Sequence, residues 1–346
     1  MHRRRAAGAG RRKSDRSLHG DGRRCGRSGG CRRNGFPSGV GGSSTGADCR
    51  QCRAARSGAG DPRAMSGPQT EFQYDRERTP QALLEERYRS ADLPDTTAWN
   101  DTLAHLLEHR SIRAFFPEPV SESALQLAVA AAQSASNSQN IQPWSVVAVR
   151  DRHRIARLAK SSLGQTFVAT APLYLVWVLD LSRLATAMHA SGHDSTVLHN
   201  LDPLVVGAID TALAAQNAAI YFESLGLGVV YIGALRYTPE AVIEELGLRT
   251  HMLPLFGMCV GYPEPSFPNE IKPRLPQAVV LHREKYSEPP PALLEDYNHR
   301  LKAFRLENDL SMVDWTTYSA ERFVRLQNRV AQNGLEQRLR DLGFGR

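Results

Sequence analysis

DPLVVGAIDTALAAQNAAIYFESLGLGVVYIG, residues 202–233, is the stretch whose reading decides the architecture. Asp202 followed by Pro203 reads as an N-cap and a first helical residue. Apolar side chains on almost every face carry a helix to about Leu225, which predicts a helix at the centre of the fold. Gly226 suits the left-handed turn that closes such a helix. Val229 to Ile232 then reads as a strand. The glycines run from helix into strand. A dinucleotide fingerprint needs strand into helix, so that a pyrophosphate meets the helix N-terminus, and that reading is rejected. Gly233 leaves the backbone bare at the far end of the strand, where a flat ring can approach an amide N–H. Glycines that merely end a helix and a strand fit the spacing equally well.

Working outward, Trp144 to Val149, Pro172 to Leu179, Pro254 to Gly261 and Val279 to Leu281 read as further strands. They are too widely spaced for hairpins. Helices are expected for Leu83 to Tyr88, for the segment carrying Trp99, Leu103, Leu106 and Leu107 behind a cap at Asp95 or Thr96, and from Ser121 to about Ala135. Residues 151–162 and a segment running from Thr238-Pro239 to Gly247 read the same way. Residues 180–200 are rich in His and Ser and weakly patterned. From Pro291 the pattern is helical to the end, with gaps near Asn308 and Asp314. The class is α+β: a sheet flanked by helices.

Composition breaks sharply near Met65. Residues 1–64 hold 16 Lys and Arg against 4 Asp and Glu; the remainder is mildly acidic. The acidic body has no nucleic-acid footprint. Residues 1–64 have little to bury and are expected to be disordered. Their Gly/Arg/Ala/Ser bias suits translation upstream of a true start at Met65 better than a transit peptide or a basic nucleic-acid arm. Residues 65–95 read as an arm and 96–346 as the main domain. Cys25, Cys31, Cys49 and Cys52 lie in the tail; Cys49 and Cys52 make a CxxC, but the Cys25–Cys31 spacing is irregular for a zinc knuckle. Cys259 reads as a core residue, consistent with a reducing cytoplasm. No apolar run reaches the roughly 18–20 residues that span a bilayer, so no membrane segment is expected.

Two segments carry concentrated positive charge: His109-Arg110-Ser111-Ile112-Arg113 and Lys272-Pro273-Arg274-Leu275-Pro276. A phosphate monoester needs several donors converging on one anion, and guanidinium suits it best. The prolines at 273 and 276 hold the second pair of cations before any ligand arrives. Each cluster alone also suits a solvated surface. Ser136 to Gln142 offers hydroxyls and amides that match the donor and acceptor edge of a flavin, or an ordinary polar turn. His189, His193 and His199 have no supporting ligands at metal spacing.

In this order the motifs resemble the nitroreductase superfamily, and within it the NADPH-linked group of oxygen-insensitive nitroreductase A and flavin reductase P. The carrying residues are HRSIRAF (109–115), the loop ending Gln142-Pro143-Trp144, DTALAAQNA (210–218), ESLGLGVVYIGALR (223–236), PLFGMCVGYP (254–263) and KPRLP (272–276), followed by His282 and Tyr286. The resemblance implies a nitroreductase-like FMN-binding fold, with a mainly antiparallel central sheet in an intertwined homodimer. It implies that His109, Arg110, Ser111, Arg113, Lys272 and Arg274 hold the FMN phosphate and ribityl end. Asn137, Gln139, Ile141 and Gln165 would surround the ring, and Tyr231, Ile232 and Gly233 would line its N5 edge. The implied activity is ping-pong hydride transfer from NADPH or NADH to nitroaromatics, quinones or free flavin. The alternative is a flavin carrier serving a monooxygenase. Where that group carries basic residues read as NADPH 2′-phosphate contacts, this chain has Arg305-Leu306-Glu307-Asn308-Asp309, which leaves both donors open.

Overall fold

The computed structural model describes residues 78–267, 270–332 and 334–345. All of them belong to the second of two units, Met65–Arg346, into which the chain divides. The expectations for residues 1–64 and for a start at Met65 lie outside the described residues.

Among the described residues the strands are β1 (Trp144–Val149), β2 (Leu173–Asp180), β3 (Gly228–Ile232) and β4 (Met252–Gly261). They form one sheet in the order β1-β2-β4-β3, antiparallel throughout. The first six helices are α1 (Pro80–Tyr88), α2 (Asp101–Leu107), α3 (Glu122–Gln133), α4 (Arg152–Lys160), α5 (Thr166–Thr170) and α6 (Ser182–Ala190). Those after them are α7 (Leu201–Ser224), α8 (Pro239–Leu246), α9 (Gln277–Val280), α10 (Pro291–Glu307), α11 (Trp315–Gln332) and α12 (Leu335–Asp341). The α+β class is as expected.

β2 is buried at every position, which explains its unbroken apolar run. Its side chains alternate between two cores. Leu173, Leu175 and Trp177 pack with α3 and with Ala214, Ala218 and Phe222 of α7. Tyr174, Val176 and Val178 face Ile155 and Leu158 of α4, Val168 of α5 and Val242 of α8. Burying each large side chain of this kind contributes about 1.5–3 kcal/mol.

α7 is long and apolar enough, by length and composition alone, to cross a bilayer. Its buried face belongs to the core instead and includes two carboxylates, Asp210 and Glu223. The helix lies in the main core as expected, through Ala214, Ala215, Ala218, Ala219 and Phe222, but one stripe of it is not covered: Leu201, Val205, Ile209 and Leu213 recur every fourth residue and are exposed. Its cap is Asn200 rather than Asp202, which falls in the first turn. Gly226 follows with φ 76°, the left-handed turn foreseen for it.

Other expectations shift for local reasons. Asn100, not Asp95 or Thr96, caps α2, because its Oδ1 accepts from Leu103 N at 2.9 Å. Asp95 instead turns back onto Thr97, accepting from its backbone N and hydroxyl at 3.1 and 2.8 Å. Val279 to Leu281 is not a strand. Pro276 sits at φ −55° and opens the short helix α9, whose Val280 and the following Leu281 are exposed. The weakly patterned 180–200 stretch contains α6 and a 3-10 turn, Ser195–His199. Asp180 starts α6 by accepting from Ser182 N at 3.0 Å. Ser121 caps α3 as expected, and the helical run after Pro291 breaks near Asn308 and Asp314.

Candidate functional site

The segment 109–113 is fastened to the sheet rather than left as a solvated helix end. α2 stops at Leu107, and the chain then runs beside the start of β3. Ile112 N donates to Val229 O at 2.9 Å, and Ser111 bridges Val229 in parallel. A Cβ on Gly228 would stand 2.5 Å from Ile112 Cγ1, so this glycine is required by close approach. Ile112 is buried, which turns its neighbours Ser111 and Arg113 outward. The segment 271–276 works the same way. Ile271 and Pro273 are buried while Lys272 and Arg274 are exposed, and the Tyr297 hydroxyl donates to Pro273 O at 3.0 Å.

The two segments, distant in sequence, meet. A cavity of about 260 Å³ is lined by His109, Arg110, Ser111, Arg113, Lys272 and Arg274, together with Arg87, Phe267, Glu270, Phe304, Asn308 and Leu310. Five Arg or Lys residues and one acid, Glu270, thus line it. Burial holds Arg113 below its ordinary pKa; Lys272, though solvent still reaches its side chain, is lowered by partial desolvation in the cavity wall and then by repulsion from Arg113, Arg274 and Arg305. Arg87 is lowered to about 10, by burial first and by Arg274 second. Cations crowded into a wall with little counter-charge favour an anionic occupant. His109 is held by Glu223 of α7, Nδ1 to Oε1 at 2.6 Å. With Nδ1–H donating to that buried carboxylate, Nε2 is the nitrogen left for a ligand.

Arg87 was not foreseen from sequence. It is a lone arginine in a helix that carries no motif, and only the tertiary fold buries it.

The ring-facing candidates fall into two groups outside this cavity. Tyr231 and Ile232 end β3 and Gly233 follows it, about 7 to 13 Å along the chain from the bridge at Val229, at ~3.3 Å per residue. Tyr231 is edge-on to Phe256 with centroids 5.5 Å apart, and its hydroxyl donates to Gln216 Oε1 at 3.3 Å. Gln165 opens α5 and donates to Ser162 O at 3.1 Å. The adjacent Ser161 O accepts the Thr238 hydroxyl at 3.4 Å, so this turn lies beside the segment that follows Gly233.

Asn137, Gln139 and Ile141 lie elsewhere, in the turn that leads into β1. Gln139, Asn140 and Gln142 have φ of 50°, 59° and 52°, a concentration of left-handed residues of the kind found at functional sites. Asp210 of α7 anchors the turn, accepting from Ser138 N at 3.2 and 3.0 Å. Asn137 Oδ1 is buried with no hydrogen-bond partner, an acceptor that suits a ligand N–H. β1 and β3 are opposite edges of the sheet. Three strand spacings, about 14 Å, therefore separate this turn from the end of β3 within one chain. Among the described residues no group of three or more His, Cys, Asp or Glu is arranged to hold a metal ion.

This sheet and these segments have known counterparts. The model of the nitroreductase family matches residues 106–262, and that of its C-terminal domain matches residues 272–346. The chain belongs to the nitroreductase family. It is 37% identical over 205 residues to the NADPH-flavin oxidoreductase of Vibrio harveyi, covering 59% of this chain and 82% of that one. It is 38% identical over 205 residues, with the same shares, to the oxygen-insensitive NADPH nitroreductase of Salmonella typhimurium. Among solved nitroreductase-like structures, NfrA1 of B. megaterium superposes with a TM-score of 0.65 at 35% identity, over 71% of this chain and all of that one. The NADPH:FMN oxidoreductase of Vibrio harveyi, complexed with NAD+, gives a TM-score of 0.58 at 32% identity, over 68% and 98%. Both family matches reach the cavity: the first contains residues 109–113 and the second begins at Lys272.

Proposed function

We propose that this chain is an FMN-dependent oxidoreductase that takes hydride from NADPH or NADH and delivers it to small acceptors such as free flavin, nitroaromatics or quinones. The observation that carries the reading is the cavity lined by five Arg or Lys residues and one acid, built from the two segments that the family match contains. Its residues fit a phosphate monoester: Arg110, Arg113, Lys272 and Arg274 supply charge, Ser111 a hydroxyl and His109 a ring nitrogen. The ring would lie toward Tyr231, Ile232, Gly233 and Gln165, where the bare Gly233 backbone presents an amide. The chemistry that flavin supplies when bound is reversible hydride acceptance at N5. The residues of this chain fix its position and add positive potential. Donor and acceptor using one pocket in turn would give ping-pong kinetics. Relatives named as reductases favour turnover over the carrier reading.

The active unit is a homodimer in this reading. Asn137, Gln139 and Ile141 stand at the wrong sheet edge to reach the Gly233 end of their own chain. The exposed stripe of Leu201, Val205, Ile209 and Leu213 on α7, with Leu103 and Leu106 on α2, gives a second copy an apolar face on which to dock. A second copy would bring its own 137–141 turn to complete the ring site. A reduced-nicotinamide donor fits a cytoplasmic location, which belongs to this reading.

The donor is read from the 305–309 loop. Glu307 pairs with Arg89, while Arg305 donates to Ser311 O and Oγ at 2.6 and 2.7 Å. One acid is thus paired and the one cation is engaged by Ser311. The test is anaerobic titration of the yellow protein with NADPH and then NADH, followed by quinone. Bleaching by either donor and recovery with quinone is expected. A protein that binds FMN yet stays oxidised with both donors would refute the activity.

A further inference from the structure

We propose that Arg87 is a positioning residue that joins the two halves of the anion cavity and makes docking of α1 and binding of the FMN phosphate mutually dependent. This rests on the FMN reading above. α1 ends at Tyr88, ahead of residue 106 where the family match begins, so the clamp comes from a segment outside that match.

The Arg87 side chain is buried, at 5% exposure. On one half of the cavity it donates to Leu107 O and, at 2.7 Å, to His109 O. On the other half it donates to Lys272 O at 3.3 Å. The tie is returned by the backbone, where Arg274 N donates to Arg87 O at 2.9 Å. All three acceptors of the guanidinium are carbonyls. They fix its orientation without cancelling its charge, so the side chain still adds positive potential to the wall it lines. The planar fork, with five donors in fixed directions, holds carbonyls on two segments in one orientation; an ammonium group, with three donors on a single point, would hold them less firmly.

The rest of α1 reinforces the bridge. Leu83 and Leu84 pack on Leu107 of α2. Arg300 of α10 donates to Tyr88 O at 2.8 Å, and Arg89 lies 4.9 Å over the Phe304 ring. α1 therefore spans α2 and α10, which flank the two cationic segments. An anion gripped by both segments and a helix that holds both segments favour the same arrangement. Each must then strengthen the other by the same factor.

The experiment compares full-length wild type, Arg87→Gln and Arg87→Lys. Dissociation constants for FMN and riboflavin come from flavin fluorescence. Chymotrypsin cleavage within residues 83–93 is followed by mass spectrometry with and without saturating FMN. In the Gln variant FMN should bind at least about 10-fold more weakly and riboflavin less than about 3-fold, with Lys between Gln and wild type. In wild type, FMN should slow cleavage in α1 several-fold. A merely structural role would weaken both flavins equally, and that result overturns the proposal. So does FMN affinity unchanged in the Gln variant. Should that variant not fold, the Lys variant and the wild-type protection experiment still decide, and cleavage indifferent to FMN overturns the linkage. A wild type that binds neither flavin would instead sink the FMN reading.

Discussion

Replacing Gly228 by Ala should damage the site from a distance. The new methyl would lie 2.5, 2.6 and 2.8 Å from three atoms of Ile112, where roughly 3.5–4 Å is needed for van der Waals contact. Ile112 cannot swing aside. It is 2% exposed and its backbone N is bonded to Val229 O. Either β3 or the 109–113 segment must therefore move by about 1 Å, and overpacking of this kind costs about 1–3 kcal/mol. For a folded unit of this size that corresponds to a Tm lower by about 2–10 °C. The displaced segment carries Ser111 and Arg113 into the cavity, so FMN affinity should fall by about 10-fold, or ~1.4 kcal/mol. Thermal denaturation of the flavin-free protein and FMN fluorescence titration measure the two effects separately. A variant whose Tm stays within about 1 °C and whose FMN affinity is unchanged would show that the segment is not seated on β3 as described.

The other perturbations test the supports of the site. Glu223→Ala removes the partner of His109 Nδ1 and should destabilise the protein by about 1–3 kcal/mol in urea titrations, with Glu223→Gln, which keeps an acceptor, losing less. Equal stability of all three proteins would refute the anchoring role. His251 is pushed below its ordinary pKa by burial first, then by His199, stacked on it at 5.4 Å, and by His189. A neutral imidazole is thus favoured in the fold, and its contribution is present above the ordinary value near pH 6.5 and lost as pH falls below it. Tm should drop between about pH 7 and pH 5, and the drop should be shallower in His251→Asn, a residue that tolerates the φ of 65° found here. Identical pH profiles would assign the acid sensitivity to other groups.

Much of this was readable in advance. The helix-to-strand order of residues 202–233 was legible because Gly226 and the β-branched run after it obey local rules. Both cationic segments stood out by residue type. Their meeting was not legible from local rules, since nothing local links His109 to Lys272; only the family resemblance implied it. Arg87 was hidden for the same reason: its burial depends on carbonyls contributed by two other segments. Val279 to Leu281 misled because a short apolar run has no period to distinguish strand from helix, and Pro276 decides it. The central place of α7 was legible, but its exposed stripe was not, because an apolar helix reads alike whether its outer face is covered or bare. Its polar residues carried more information than its apolar ones. Asp210 and Glu223 are the buried carboxylates that fasten the 138–142 turn and His109, one helix positioning both segments.

The most direct measurement is the affinity of the wild-type protein for FMN against riboflavin, which differ only by the phosphate, at low and high salt. The cation-lined cavity predicts FMN binding at least about 100-fold tighter, equivalent to ~2.7 kcal/mol, with the gap narrowing as salt rises. Equal affinity for the two flavins at both salt concentrations would mean that the cavity does not hold the phosphate.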